Sequence, residues 1–538
     1  MPVGTTVHVK ITNNLTNKAT LFGFNTRPGN AQAGIELAAK ESRELSFDAG
    51  AAGTYFYWAK TISPPDAVMP LRADSFLTGA FIVDPAGQVT ADRIFVLNLM
   101  LVPPDALHGT EEVVSINGKS YPYTEPLEYT EDETIRWRVI NATFFEHPMH
   151  LHGAFYKLLS LGDAESETAF AGSDQQSVVT ENLMAAHTMM MEWKPQHAGR
   201  WLFHCHFQLH MSAEERVPVI KEAESPTYGS RAAATDHHDS MAAMNDMAGL
   251  VLVTNVKPAQ EAALVQAAPV SPHKLDLVIE PTAASGKSPT FSCSVREGKK
   301  LVASLEKSMG PPIVVTRGEP TEVTVTNHLA EPTTIHWHGL ELDAYYDGVV
   351  GGGTAGRVTQ AIPPGGSFVA RFTPNRAGTF IYHTHAADPD QLTGGIYGAL
   401  IVLEPGEKFD PAHDRVIMLG SREPSFFAER ITINGEEVPH RMIFDRGVRY
   451  RLRLINMAPD LAADFQIGSK EHPATWDAVA KDGAILPARL AKTSDATLHI
   501  ASGETYDFEF QPNTAGEIPL KVENIVNEAK VETKIVVQ

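Results

Sequence analysis

Short segments in which apolar and polar residues alternate recur along the whole chain. Thr6-Val-His-Val-Lys-Ile-Thr12 and Thr321-Glu-Val-Thr-Val-Thr326 are clear cases. Both have the two-residue period of a strand that buries one face. Gly, Pro, Asn and Asp punctuate these segments, and no long helical pattern appears outside 211–247. The pattern predicts an all-β chain of sandwich-like domains.

The same patterns occur twice. Gly53-Thr-Tyr-Phe-Tyr-Trp-Ala-Lys60 matches Gly378-Thr-Phe-Ile-Tyr-His-Thr-His385, and Gly79-Ala-Phe-Ile-Val-Asp-Pro85 matches Gly398-Ala-Leu-Ile-Val-Leu-Glu-Pro405. Ile135-Arg-Trp-Arg-Val-Ile-Asn141 matches Tyr450-Arg-Leu-Arg-Leu-Ile-Asn456. The expected order is therefore A1 (1–88), A2 (89–255), a linker (256–272), B1 (273–406) and B2 (407–538). Residues 211–246 read as a loop inserted in A2. B1 has about forty residues (273–320) ahead of its Thr321 strand, whereas A1 begins almost at the matching strand. A1 is thus expected to lack its first strands, which leaves an edge for something else to cover.

With 538 residues, one hydrophobic core is too few, and three or four domains are expected. No apolar run approaches the roughly 18–20 residues that span a bilayer. The net charge of −21 disfavours nucleic acid and mildly favours cationic reductants, metal ions included. The N-terminus reads as a strand with no secretory signal segment, which fits an intracellular, mature or truncated chain. Two cysteines, Cys205 and Cys293, give no disulfide framework, while the 22 histidines are clustered. Cys293 reads as a small core residue.

Four motifs concentrate that chemistry: His147-Pro-Met-His150-Leu-His152, His204-Cys205-His206-Phe-Gln-Leu-His210, His336-Trp-His338-Gly and His383-Thr-His385. Alternate residues of a strand point to one face, so each His-x-His aims two imidazoles in one direction. Four pairs supply eight nitrogens for a cluster of metals. Cys205 lies between two of these histidines, so its sulfur faces the other way. A thiolate, two imidazoles and a weak axial thioether describe a blue-copper site, and Cys205, His147 and His210 fit that description.

Together these motifs resemble those of the multicopper oxidases, a family that includes laccases, copper-efflux oxidases and ceruloplasmin-like ferroxidases. The resemblance spans essentially the whole chain. It implies four cupredoxin-like Greek-key sandwiches and four copper ions, one type 1, one type 2 and two type 3. Carried over by motif, His147, Cys205 and His210 resemble type 1 ligands. His150 and His336 resemble the type 2 pair. His152, His204, His206, His338, His383 and His385 resemble the type 3 ligands. Asp347, in Tyr345-Tyr-Asp-Gly348, matches a carboxylate that gives protons to the cluster; an Asp-Gly turn is the plainer account of the same residues. The implied reaction takes electrons singly from a phenol, an aromatic amine or a metal ion and reduces dioxygen to water. The implied location is periplasmic or extracellular.

Aligning the halves sets Phe22 and Phe24 opposite His336 and His338, and Trp58 and Lys60 opposite His383 and His385. Ala462, Phe465 and Ile467 fall opposite His147, His150 and His152, and Lys521, Val522 and Glu523 opposite His204, Cys205 and His206. One trinuclear cluster is therefore expected between A2 and B1, with A1 and B2 free of ligands. The His-Cys-His domain precedes the His-Trp-His-Gly domain, the reverse of the family's usual order, as in a tandem fusion of a two-domain oxidase. Closure within one chain or between chains, as an oligomer, is open at this stage. The usual axial spot holds Glu215, and the expected continuation reappears at Asp246-Met247-Ala-Gly-Leu-Val-Leu. Met247 is the expected axial ligand, with Met211, Met241 and Met244 as alternatives. The Met- and His-bearing loop reads as a mobile segment or as a soft-ligand lid for Cu(I). The competing functions are a cuprous oxidase of copper resistance, a copper nitrite reductase, which needs no type 3 pair, and a copper carrier.

Overall fold

The computed structural model describes residues 1–61, 77–87, 92–102, 111–211, 247–259, 271–282, 290–304, 309–354, 356–386 and 389–538. The expected Met/His loop, with His237, His238, Met241 and Met244, lies outside the described residues, as does most of the expected linker. The Val251–Lys257 strand runs past the expected boundary at 255.

The fold is all-β, in four cupredoxin-like sandwiches. The first sheet of A2 centres on Ile135–Asn141, with His187–Trp193 antiparallel on one side and Arg93–Val102 parallel on the other. B2 repeats this plan around Tyr450–Asn456, between antiparallel Thr505–Phe510 and parallel Asp414–Ser421. B1 repeats it again around Thr321–Asn327, between Ser367–Phe372 and the parallel His273–Pro281. In A1, Thr6–Thr12 and Ser42–Asp48 form a two-stranded sheet. The strands that His273–Pro281, Phe291–Glu297 and Lys300–Ser304 add in B1 have no counterpart among the described residues of A1.

The second sheet of each ligand-bearing domain carries the motifs. In A2 its order is Thr180–Leu183, His147–Leu151, Gly199–Cys205, Val251–Lys257, Leu127–Thr130. In B1 it is Ile313–Thr316, Tyr397–Leu403, Gly378–His383, His336–His338. The short Gly353–Thr354 strand of B1 pairs with Arg200 and joins the two domains edge to edge. The motif strands His147–Leu151 and His336–His338 are buried on both faces, so they read as continuous runs without alternation.

A2, B1 and B2 each have their own apolar core, and two of these cores borrow from a neighbour. Ala462 and Ala501 of B2 pack into the core of A2, and Phe155 and Val179 of A2 pack into that of B1. The duplicated halves share a latch as well. The Arg138 guanidinium donates to Thr54 Oγ1 (2.7 Å) and Asp92 (2.8 Å), tying A2 to A1. Arg453 donates in the same way to Thr379 Oγ1 (2.8 Å) and Asp414 (2.6 Å), tying B2 to B1.

Candidate metal centre

Strand register sets the site. His147–Leu151 runs antiparallel to Gly199–Cys205 with Met149 opposite Cys205 and His150 opposite His204. His336–His338 runs antiparallel to Gly378–His383 with His336 opposite His383. Cross-strand partners share a face, so each pair of strands presents its imidazoles together. The A2–B1 contact then sets the two faces against each other, within one chain.

The eight histidines meet there. His150 stacks on His338 with centroids 3.8 Å apart, and His152 stacks on His336 at 4.0 Å. Three groups each bring one ligand atom per residue within 4.8 Å of one another: His150, His336 and His338; His152, His204 and His385; His206, His338 and His383. Burial holds His150, His152, His206, His338, His383 and His385 well below the usual imidazole range and brings His204 down to about 4. These rings are therefore neutral near pH 7, as metal ligation requires.

The outward nitrogens have partners. Nδ1–H of His150 donates to the Val179 carbonyl (2.9 Å), that of His204 to the Cys205 carbonyl (2.8 Å) and that of His383 to the Thr384 carbonyl (2.7 Å). His336 Nδ1–H donates to the Asp347 carbonyl (2.8 Å), and His152 Nδ1–H to the Asp347 carboxylate (2.7 Å). His338 is turned the other way, with Nε2 3.1 Å from Thr180 Oγ1. The inward nitrogens are bare: Nε2 of His150, His336, His383 and His385 and Nδ1 of His338 are buried without a hydrogen-bond partner. An unpaired buried nitrogen costs about 1–3 kcal/mol, and five facing one space are best accounted for by a bound cation. The donor set, all imidazole, suits copper.

On the other face of Cys205 a second group forms. His147 Nδ1 and His210 Nδ1 lie 3.1 Å apart, and each is 3.6 Å from Cys205 Sγ. Thr143 Oγ1 bonds the far nitrogen of His147 (2.8 Å), which fixes the ring. Burial pushes the Cys205 thiol up and brings His210 down to about 3. A bound metal would reverse the first effect by stabilising thiolate. Phe145 and Phe426 cover His210, with centroids at 5.6 and 5.1 Å.

All ten predicted histidines and Cys205 thus come together in two adjoining groups. Asp347 is buried and touches two of the histidines. Its neighbour Gly348 has φ +84°, and a Cβ there would sit 1.9 Å from the Ile335 carbonyl oxygen, so the Asp-Gly turn and the site are one feature. Met247 packs with Tyr121, Leu202, Val251 and Val349. Leu250 instead packs with Cys205, and its carbonyl accepts the Cys205 N–H at 3.0 Å. Met247 also lines a cavity with His206, His383, His385 and Leu392, on the trinuclear side. Cys293 is a buried core residue, as expected. Sequence reasoning missed Thr180, Asp482, Phe426 and Ser502, none of which carries a local signal.

Two models of a family described as Multicopper oxidase match residues 99–225 and 288–407. Laccase-1 of Cryptococcus neoformans var. grubii is 39% identical over 118 residues, 20% of this chain and 18% of that protein. Copper resistance protein A of Escherichia coli is 32% identical over 178 residues, 33% of this chain and 27% of that protein. These matches span less than a third of either relative. Among solved structures, a blue copper oxidase from Nitrosomonas europaea is 25% identical with a TM-score of 0.39, over 49% of this chain and 85% of that one. With both ligand-bearing domains matched and their histidines converging, the chain belongs to the multicopper oxidase family.

Proposed function

We propose that the protein is a laccase-like oxidase that takes electrons singly from a reductant and reduces dioxygen to water with four protons. One observation carries the reading: eight imidazoles from A2 and B1 converge on one space, and two of them flank the cysteine of a second site. In this reading four coppers are held. His147, Cys205 and His210 would hold the type 1 ion, and Leu250, not the Met247 first expected there, shares the core around Cys205. His150 and His336 hold the type 2 ion, and His152, His204, His206, His338, His383 and His385 hold the type 3 pair. Bound copper supplies one-electron redox chemistry and the reduction of dioxygen.

The chain's own residues do the rest. Phe145 and Phe426 close the His210 edge, so a reductant docks against aromatic surface and water is kept out. The backbone from Cys205 to His204 and His206 is a short covalent path between the two sites. Asp347 orients His152 and His336 by accepting their Nδ1–H groups on its carboxylate and its carbonyl, and its buried side chain is placed to pass protons to the cluster. The cavity lined by Met247, His206, His383 and Leu392 gives a small apolar gas a way in.

Phenols, aromatic amines, Cu(I) and Fe(II) are the reductants to compare, and the similarity to both a laccase and a copper resistance protein supports testing organic and cuprous donors together. The matched relatives also support a periplasmic or extracellular setting. Among the described residues no helix is long and apolar enough to cross a membrane. The test is copper-loaded protein turning over each donor with four electrons consumed per dioxygen and no peroxide. Cys205→Ser should remove the blue absorption, one copper per chain and nearly all turnover. Oxygen reduction with an organic donor that survives this change would sink the reading.

A further inference from the structure

B2 carries none of the ligands, yet it reaches the ligand shell in three places. Ser502 is fully buried, and its Oγ lies 3.0 Å from His206 Nδ1. The turn Ala501-Ser-Gly-Glu504 that presents it is fixed internally, because the Glu504 carboxylate accepts the Ala501 N–H (2.8 Å) and the Lys481 ammonium (2.7 Å). Gly503 has φ +81°, and a Cβ there would meet the His206 ring at 2.6 Å, so the turn lies flat on the imidazole. Asp482 accepts the N–H groups of Val179 and Thr180 on one oxygen (3.0 Å each) and that of Thr505 on the other (3.1 Å). Val179 and Thr180 are the residues whose carbonyl and hydroxyl hold His150 and His338. Finally, Asp460 accepts the Leu209 N–H (2.8 Å) and the Pro459 carbonyl the Gln208 N–H (3.1 Å), in the turn that joins His206 to His210.

We infer that B2 is a working part of the trinuclear centre, with Ser502 as a positioning residue for His206 and Asp482 for the peptide that holds His150 and His338. This rests on the multicopper reading above. The physical reason is general: the partner on one imidazole nitrogen fixes the ring and the tautomer, and so aims the other nitrogen at the metal. Losing such an outer partner costs about 10–100-fold in metal affinity or activity. Among the described residues, the outer partners of His150, His152, His204, His336, His338 and His383 are atoms of A2 and B1. His206 takes its partner from the fourth domain.

The experiment is Ser502→Ala in the full chain, with Asp482→Asn as a second variant and Ser494→Ala, on an exposed strand of B2, as a control. Copper per chain, the paramagnetic resonance spectrum of the cupric protein and the blue absorption are measured alongside the melting temperature of the copper-free protein. The expected result is a roughly 10–100-fold loss of affinity for the trinuclear coppers. In Ser502→Ala the blue absorption and the copper-free melting temperature should stay unchanged, Asp482→Asn should also lower that temperature because its amide NH2 faces a buried N–H, and the control should match the wild type. Unchanged copper content and resonance in both variants would overturn the inference. So would a parallel loss of blue absorption and copper-free stability, which would make Ser502 an ordinary packing contact. Wild-type protein that takes up no copper at the histidines would overturn the metal-centre reading instead, so the two failures are separable.

Discussion

A1, the counterpart of B1, and B2, the counterpart of A2, both lack the predicted ligands, but they are built differently. In A1 the ligand positions became an aromatic cluster: Phe22 stacks on Trp58 at 5.2 Å, with the Lys60 ammonium over the Phe22 ring. That cluster packs on Ile140, Ala142 and Ala164, and Thr54 takes the Arg138 guanidinium. A1 thus braces the first sheet of A2. B2 filled its own former ligand positions with Phe465 and Ile467, and turned Ser502, Asp482 and Asp460 toward the ligand-bearing sheet of its neighbour. Loss of ligands therefore did not decide what each domain does; the sheet against which it packs did.

The largest expected effect is that of Asp482→Ala in B2, which strands three buried N–H donors. At about 1–3 kcal/mol each, denaturant unfolding should show a loss of several kcal/mol, with trinuclear copper reduced as well. Next comes Thr54→Ala in A1, which removes an acceptor from the buried Arg138 guanidinium. It should cost about 1.5–3 kcal/mol, with copper per chain unaltered. If Thr54→Ala loses copper as Asp482→Ala does, the two domains are not different in kind.

A third test uses pH. Burial works against the charge on His499, but hydrogen bonds to Asp464 and Glu146 outweigh it and raise its pKa to about 10. Glu146 belongs to A2, so this is part of the A2–B2 contact. A raised imidazolium pKa gives stability that is complete below the unfolded value of about 6.5 and is lost as pH rises through about 10. The melting temperature should fall across that window, and His499→Gln should flatten the fall. The A1 latch rests on a guanidinium and should not respond there. A fall of the same size in His499→Gln would remove the imidazole from the account.

The smallest effect is confined to A2. Leu250→Met should lower the potential of the blue site by supplying an axial thioether, whereas Met247→Ala should leave it where it is. Redox titration of the blue absorption distinguishes them. A shift with Met247→Ala alone would restore the axial role first given to that residue.

These contrasts also explain what the chain's letters reveal. The eight paired histidines and Cys205 were readable because a metal demands particular residue types, and a strand spaces them by two. Spacing does not fix the residue nearest the Cys205 site, because residues 212–246 separate His210 from both Met247 and Leu250. Whether the halves met within one chain depended on how the A2 and B1 faces pack, which no local pattern records. Ser502 and Asp482 left no trace: a hydroxyl in a turn and a carboxylate after a lysine are common, and only three-dimensional adjacency gives them a task.

The bond between His206 and Ser502 joins residues 296 apart. A polypeptide leaving the ribosome N-terminus first has produced every predicted imidazole once residue 385 is out, but must extend more than a hundred residues further before Ser502 and Gly503 settle on His206. Contacts between such distant residues form late and slowly. Metal uptake is thereby tied to the synthesis of B2, and a chain cut short before that domain would carry the full set of donors without the hand that steadies them.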